Sequence, residues 1–410
     1  MPTEKLFDIA LQYKKTKLWK QLCDTELFAL KLSNGKIDYC SVMGELGEHI
    51  ALALYVGRDG LDSYRKMFGA KDAYNAMAQR ETMLSQNCVQ CSFENKDELS
   101  PFEIEEAQRY SRTHGITYRG RKAFPQFRRY RPSHYPWYLK DETDEQLLYE
   151  ALSAALEVAE KLKTTSKSSL GFLDGAPYDR VIPLLERSND SYQLSTIELP
   201  DKQERIYPSP IVNDELLVDK LKKKKKTGLM WACEVVMFPS PMSDEAADDD
   251  GMVEDPENAP VFPFMLLIVD CKSGMVIPNE LVADYDQDAE KLVVALAHSM
   301  GDHGVPSEIQ VRDKRTEILL SEFAKQVDTK VLLHDDLPLL DEIGEDMIVH
   351  FCDDQDQNEE EMEEFLKTFM EMDDETLQSM PYELRKQMLE LESQGVLPEP
   401  VSARVRRLFK

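Results

Sequence analysis

Hydrophobic periodicity predicts an α+β / α/β protein: two mixed-sheet α/β domains followed by an acidic helical tail. Three observations carry the expectation. Short apolar runs bounded by turn residues alternate with stretches of helical period in both halves of the chain. The order of strands and helices begins again near Leu229. From Asp353 to Glu375, twelve acidic residues stand against the single Lys367.

Residues 4 to 22 carry Leu6, Ile9, Tyr13 and Leu18 at inward helical positions. LFALKLS and KIDYCSVM flank Asn34-Gly35, a hairpin signal because a type I′ turn needs positive φ at both central residues. His49 to Val56 reads as a third strand, with His49 a packed or edge histidine. Helices are expected around Leu61 to Phe68 and Ala73 to Leu84. Next come a strand holding Cys88 and Cys91, a helix opened by Ser100-Pro101 with Glu103 in its first turn, and a short strand at Ile116 to Tyr118. A long helix from Thr143 fades into the Ser/Thr/Gly-rich stretch from Thr164 to Gly171.

The second half opens on LMWACEVVMF, Leu229 to Phe238, after a lysine run that reads as a solvated helix end. Its centre is Pro263 to Asp336. Phe264 to Val269 is an apolar run ending in Asp270 and a CKSG turn, and Met275 to Ile277 is the return strand. An amphipathic helix spans about Asp288 to Met300, a strand Ile309 to Val311 runs to Asp313, a helix covers Ile318 to Val327, and Lys330 to His334 is strand-like. The expected organisation is a domain over 1–163, a linker with connecting strands over 164–228, a second domain over 229–350 with an acidic insertion at 240–260, and an acidic helical tail over 351–410. A last helical piece is expected from Pro381 to Gln394, before a basic tail.

A net charge of −28 over 410 residues argues against a general nucleic-acid-coating role, because phosphate is repelled by such a surface. The first fifteen residues lack the apolar core of a signal peptide, and no apolar run approaches the ~18 residues of a membrane span, so a cytoplasmic chain off the membrane is expected. Seven scattered cysteines make no disulfide framework. Cys88 and Cys91 are two thiols where a zinc site needs about four ligands. The insertion lacks the spacing of a calcium loop. No cofactor or resident metal is expected from these patterns. Walker A, G-x-G-x-x-G, G-x-S-x-G and H-E-x-x-H motifs are absent from the sequence.

Residues 109–140 interleave arginines with aromatics. Arg128, Arg129, Arg131 and Trp137 are the candidates there for a nucleotide or nucleic-acid groove, since guanidinium forks hold phosphate and aromatic faces stack on bases. The competing expectation is that these arginines pair with the chain's many carboxylates. The leading functional expectation is a non-catalytic binding or interaction protein whose acidic insertion and tail meet protein partners.

Counting from Leu229 gives strand, acidic insertion, strand, strand, helix, strand, helix, strand. This βββαβαβ order resembles the ribonuclease-H-like fold, seen also in integrase cores. The resemblance implies carboxylates at strand ends that hold Mg²⁺ or Mn²⁺ for nuclease or phosphotransfer chemistry. Asp270 and Asp313 each end a strand, and Asp341 or Glu342 offers a third ligand. In that family the first acid usually lies on the first strand, where this chain has Glu234, whereas Asp270 is on the second. Capping a hairpin turn and beginning a loop are the ordinary roles of such aspartates.

LWKQLCDTELFALKLSNGKIDYCSVMGELGEHIALALYVG at the front, with MWACEVVMFPSP, PFMLLIVDCKSGMVIPNELV and VPSEIQVRD at the back, resembles a group of uncharacterised bacterial proteins that join two domains of unknown function. The resemblance covers about half the chain and implies no activity, substrate or cofactor. The N-terminal half also repeats the element order of the second, as a distant duplication would.

Overall fold

A computed structural model of the chain describes residues 3–32, 34–69, 75–172, 180–188, 191–242, 259–353, 369–370, 372, 377 and 399–409. The chain divides into two compact units, Met1–Gly344 and Glu345–Lys410. Helices and two mixed sheets give the α+β / α/β architecture that periodicity predicts.

The first sheet has eight strands. In chain order its elements are α1 (Glu4–Thr16), β1 (Phe28–Lys31), β2 (Ile37–Met43), β3 (Ile50–Tyr55), α2 (Gly57–Gly69), α3 (Ala76–Met83), β4 (Cys88–Glu94), α4 (Pro101–His114), β5 (Phe124–Tyr130), β6 (Trp137–Tyr138), α5 (Glu142–Leu162), β7 (Val181–Ser188) and β8 (Ser191–Glu198). The strand order is β6-β5-β4-β3-β2-β1-β7-β8, antiparallel at every step except β1 against β7. Strand alternation sends Cys40, Leu52, Leu54, Val89 and Cys91 to a face covered by α1 and α5. It sends Tyr39, Ala53, Tyr55 and Cys88 to the opposite face, with Leu61 and Tyr64 of α2.

Three local expectations change. Helix α1 ends at Thr16 rather than Leu22. Thr16 Oγ1 donates to Tyr13 O at 2.7 Å and accepts from Leu18 N at 3.2 Å, which turns the chain at Lys17, φ 53°. In the β1–β2 hairpin Leu32 N donates to Lys36 O at 2.8 Å and Gly35 N to Leu32 O at 2.9 Å, with Gly35 at φ 81°, so the connection is a three-residue loop rather than a two-residue Asn34-Gly35 turn. Residues 116–118 form no strand. The strand is β5, and Pro125 fits there because β6 reaches only Arg128 and Arg129, leaving the ladder edge open at the proline.

The connecting stretch supplies β7 and β8, a hairpin that extends the first sheet through β1. The second sheet uses α6 (Glu215–Lys223), β9 (Thr227–Met237), β10 (Phe264–Asp270), β11 (Val276–Ile277), β12 (Leu281–Val282), α7 (Tyr285–His303), β13 (Pro306–Val311), α8 (Lys314–Gln326), β14 (Lys330–Leu333) and α9 (Pro338–Ile348). Its order is β11-β10-β9-β13-β14, with β12 also on β10. Strands β9, β10 and β11 are antiparallel neighbours, while β13 runs parallel to β9 and β14 parallel to β13. Trp231, Cys233, Val235, Leu266, Ile268, Ile309 and Val311 pack on α7 and α8 through Leu292, Leu296, Leu320 and Phe323. The element orders of the halves are alike, yet the pairings differ: β4 adds beside β3, whereas β13 adds beside β9.

In the second unit, α10 (Glu399–Phe409) buries Val401 and Val405 with Phe369 and Leu377. Arg404 donates to Phe369 O at 2.8 Å and Met370 O at 2.7 Å, so the basic end of the chain is helical. Most of the acidic insertion and of the acidic tail, including the helix expected from Pro381 to Gln394, lies outside the described residues. Among the described residues, no helix is long and apolar enough to cross a membrane.

Candidate functional site

Asp270, at the end of β10, is buried. Its Oδ1 accepts from Lys272 N at 2.8 Å and Ser273 N at 3.2 Å, and its carbonyl accepts from Gly274 N at 2.9 Å. The carboxylate therefore closes the β10–β11 turn, where Gly274 takes φ 71°. Asp313 caps α8: its Oδ1 accepts from Thr316 N at 3.0 Å and its Oδ2 from the Thr316 hydroxyl at 2.6 Å. That hydroxyl in turn accepts from Val235 N at 2.9 Å. Strand β13 ends at Val311, level with Cys233. The next inward N–H of β9 thus has no strand beside it, and the first turn of α8 supplies its partner.

Asp341 faces Arg312. The guanidinium donates from Nη1 to Asp341 Oδ2 at 2.9 Å and from Nη2 to Glu234 Oε2 at 2.7 Å, and Asn75 Nδ2 donates to Asp341 Oδ1 at 2.8 Å. Arg312 and Glu234 side chains are only 5% and 3% exposed, so each needs the other's charge. Burial alone would lower the Arg312 pKa, but the two carboxylates outweigh it and hold the guanidinium above its ordinary value.

The aspartates do not converge. Asp270 is level with Trp231 on β9, because β10 runs antiparallel. Asp313 follows a parallel strand and reaches Val235 through Thr316. Four residues of β9 separate these levels, roughly 13 Å along the strand. Among the described residues, no group of three or more His, Cys, Asp or Glu side chains could hold a metal ion.

Beside this cluster, Arg315 of α8 grips Glu81 of α3 with two bonds, 2.6 and 2.9 Å, and donates to Val235 O at 2.5 Å. Its guanidinium also lies 5.8 Å from the ring centres of Phe264 and Tyr285. This fork fastens α3 to the second sheet. Sequence reading missed it, since nothing local to Glu81 announces a partner 234 residues on.

The basic-aromatic segment becomes β5 and β6. Arg128 donates from Nε to Glu103 Oε1 at 3.1 Å and from Nη2 to Oε2 at 3.3 Å, and lies 5.8 Å from the Tyr138 ring centre. Arg129 is buried: it donates to Cys88 O at 2.9 Å, to Tyr130 O and to Asn87 Oδ1 at 2.8 Å, and its Nε is 3.3 Å from Asp144 Oδ2. Arg131 is exposed and lies 5.3 Å from the ring centre of the buried Trp137. Residues 128, 129 and 131 therefore differ in setting: Arg129 is buried, Arg128 is paired and about a quarter exposed (26%), and Arg131 is exposed. A small recess of about 20 Å³ has walls that include Phe7, Phe102, Glu103, Glu106, Phe127 and Tyr138. The two carboxylates there are already bonded, Glu103 by Arg128 and Glu106 by Arg109.

Cys88 and Cys91 lie on opposite faces of β4, in separate cores. Burial pushes the Cys88 thiol up to about 12 and Cys91 higher still, so neither supplies a thiolate near neutral pH.

Residues 4–175 match the model of a domain of unknown function (DUF7309), and residues 217–348 match that of a second domain of unknown function (DUF6930). No curated protein and no solved structure matches the chain. The first match holds β1 to β6 and the second holds the whole second sheet, so the chain joins a region similar to DUF7309 to a region similar to DUF6930.

Proposed function

We propose that this chain is a non-catalytic binding or interaction protein. The observation that carries this reading is the use already made of Asp270, Asp313 and Asp341. One closes a turn, one caps a helix and one neutralises a buried arginine. Arg128 and Arg129 are likewise occupied by Glu103 and Asp144, which favours internal ion pairing over a nucleotide groove. The partners this reading points to are proteins with basic surfaces, in keeping with a net charge of −28, and its setting is the cytoplasm.

The path of the second sheet supports a ribonuclease-H-like fold without its chemistry. Three antiparallel strands are followed by two that return parallel to the first through helices. The division into 1–163, 164–228, 229–350 and 351–410 belongs to the same proposal, supported at its second boundary by the start of β9 at Thr227.

The test incubates labelled single- and double-stranded DNA and RNA with the full chain and Mg²⁺ or Mn²⁺, beside the Asp270→Ala/Asp313→Ala variant, and records binding in the same samples. No cleavage by either protein is the expected result. Metal-dependent cleavage lost in the double variant would overturn the proposal, and binding without cleavage would move it toward a nucleic-acid binder.

A further inference from the structure

Strand β14 is the outer edge of the second sheet. It pairs with β13 and, among the described residues, with no other strand. His334 N donates to Val311 O at 2.8 Å. Along a parallel ladder the main-chain groups of alternate residues share a side. Those of Leu332 and His334 therefore face β13, and those of Val331 and Leu333 face outward. The side chains on this edge are apolar and open: Leu332 is 40% exposed and Leu333 55%. At the two ends stand Lys330 and the pair Asp335 and Asp336, all exposed and without an ion pair among the described residues. Soluble proteins normally blunt such an edge with a central charge, a proline or a bulge. Here Lys330 sits at the beginning of the strand and leaves its centre open.

We propose that β14 is a self-association edge, on which a second copy of this chain pairs antiparallel about a two-fold axis through Leu332. The register follows from the outward groups. Val331 of one copy lies opposite Leu333 of the other, and the reverse, so that four main-chain hydrogen bonds form. Leu332 meets its own counterpart at the close, non-hydrogen-bonded position. Side chains of opposed residues then share a face in both copies, as a two-fold axis normal to the sheet requires. Antiparallel pairing also brings Lys330 of each copy to the Asp335–Asp336 end of the other. Parallel pairing would set lysine beside lysine and acid beside acid, and it does not close on itself. The edge is short and each chain carries −28, so the dimer belongs to the weak, concentration-dependent class.

Sedimentation equilibrium of the full chain from roughly 5 to 500 µM tests this, a range suited to weak interfaces. The expected result is a reversible dimer. Leu332→Lys, which sets like charges across the axis, should weaken it about tenfold or more with unchanged far-UV circular dichroism. Lys330→Glu should weaken it as well, and adding Asp335→Lys and Asp336→Lys should restore it. Under mild oxidation Leu332→Cys should give a disulfide-linked dimer, because the two positions face each other, while Leu333→Cys should not. A chain that stays monomeric throughout the range overturns the proposal. So does a dimer insensitive to Leu332→Lys, or one cross-linked through position 333 instead of 332.

Discussion

Asp313 offers the sharpest test of structural against catalytic use, because its two oxygens do different work. In Asp313→Ala the cap on Thr316 N is lost, which costs about 1 kcal/mol. The bond from the Thr316 hydroxyl to a charged oxygen, 2.6 Å long, is lost too, adding about 1.5 kcal/mol. Thr316 is fully buried, so no water replaces Oδ2, and the sum is a loss of about 2.5 kcal/mol. Asparagine caps as well as aspartate, so Asp313→Asn should stay within about 1 kcal/mol of the natural chain. Its Nδ2 can donate to the hydroxyl oxygen, which keeps accepting from Val235 N. Urea unfolding followed by circular dichroism would measure the changes as midpoint shifts at constant slope, and hydrogen exchange at the Val235 amide would report the local effect. A metal ligand behaves in the opposite way. There the asparagine variant loses any Mg²⁺- or Mn²⁺-dependent thermal shift while stability without metal is kept. Such a metal-linked loss, or an alanine variant within 0.5 kcal/mol of the natural chain (roughly a tenth of a typical domain's stability), would refute the capping argument.

Three further perturbations follow from the same geometry. Glu81→Ala strands the mostly buried Arg315 and should cost about 3–5 kcal/mol, most of it recovered in Glu81→Leu/Arg315→Met, as a double-mutant cycle would record. Gly60→Ala should cost about 1–3 kcal/mol in thermal unfolding, because the added Cβ would lie 2.6 Å from the Tyr55 carbonyl carbon and 3.0 Å from Asn87 O, both main chain. Asp38 is buried, its Oδ2 without a hydrogen-bond partner among the described residues, and burial raises its pKa against the opposing bond from Gly57 N. A raised folded pKa means that the native state binds the proton more readily, so its ionisation costs stability at neutral pH and the cost fades as pH falls through the folded value. Asp38→Asn, which keeps an acceptor for Gly57 N, should therefore raise the melting temperature at pH 7, with the gain shrinking toward pH 4.

Periodicity located most of the strands and helices because each has a buried face that repeats every two or every 3.6 residues. Leu292, Leu296 and Met300 mark α7, and the alternation of β2 and β3 marks two cores at once. Strand β5 was harder to find, because Pro125 and the paired Arg128 and Arg129 mimic a solvated loop. Their ion partners, Glu103 and Asp144, sit on α4 and α5, to either side of the strand in sequence. The same limit governs the carboxylates. A chain shows that Asp270 and Asp313 each end a strand, but the end of an antiparallel strand and the end of a parallel one lie at opposite ends of the sheet. Two strand-end aspartates converge only when their strands point the same way. Here β10 opposes β9 while β13 follows it, so the pairing direction, which no residue near either aspartate encodes, keeps the two apart. Glu234 lies nearer to Asp341 than Asp270 does to Asp313, and there the occupant is Arg312, a permanent cation of the chain's own. A carboxylate pair bridged by a buried guanidinium keeps only one net negative charge, and a divalent ion there would face the arginine's own positive charge or strand it. The cluster most like a metal site is thus the one that the fold needs filled.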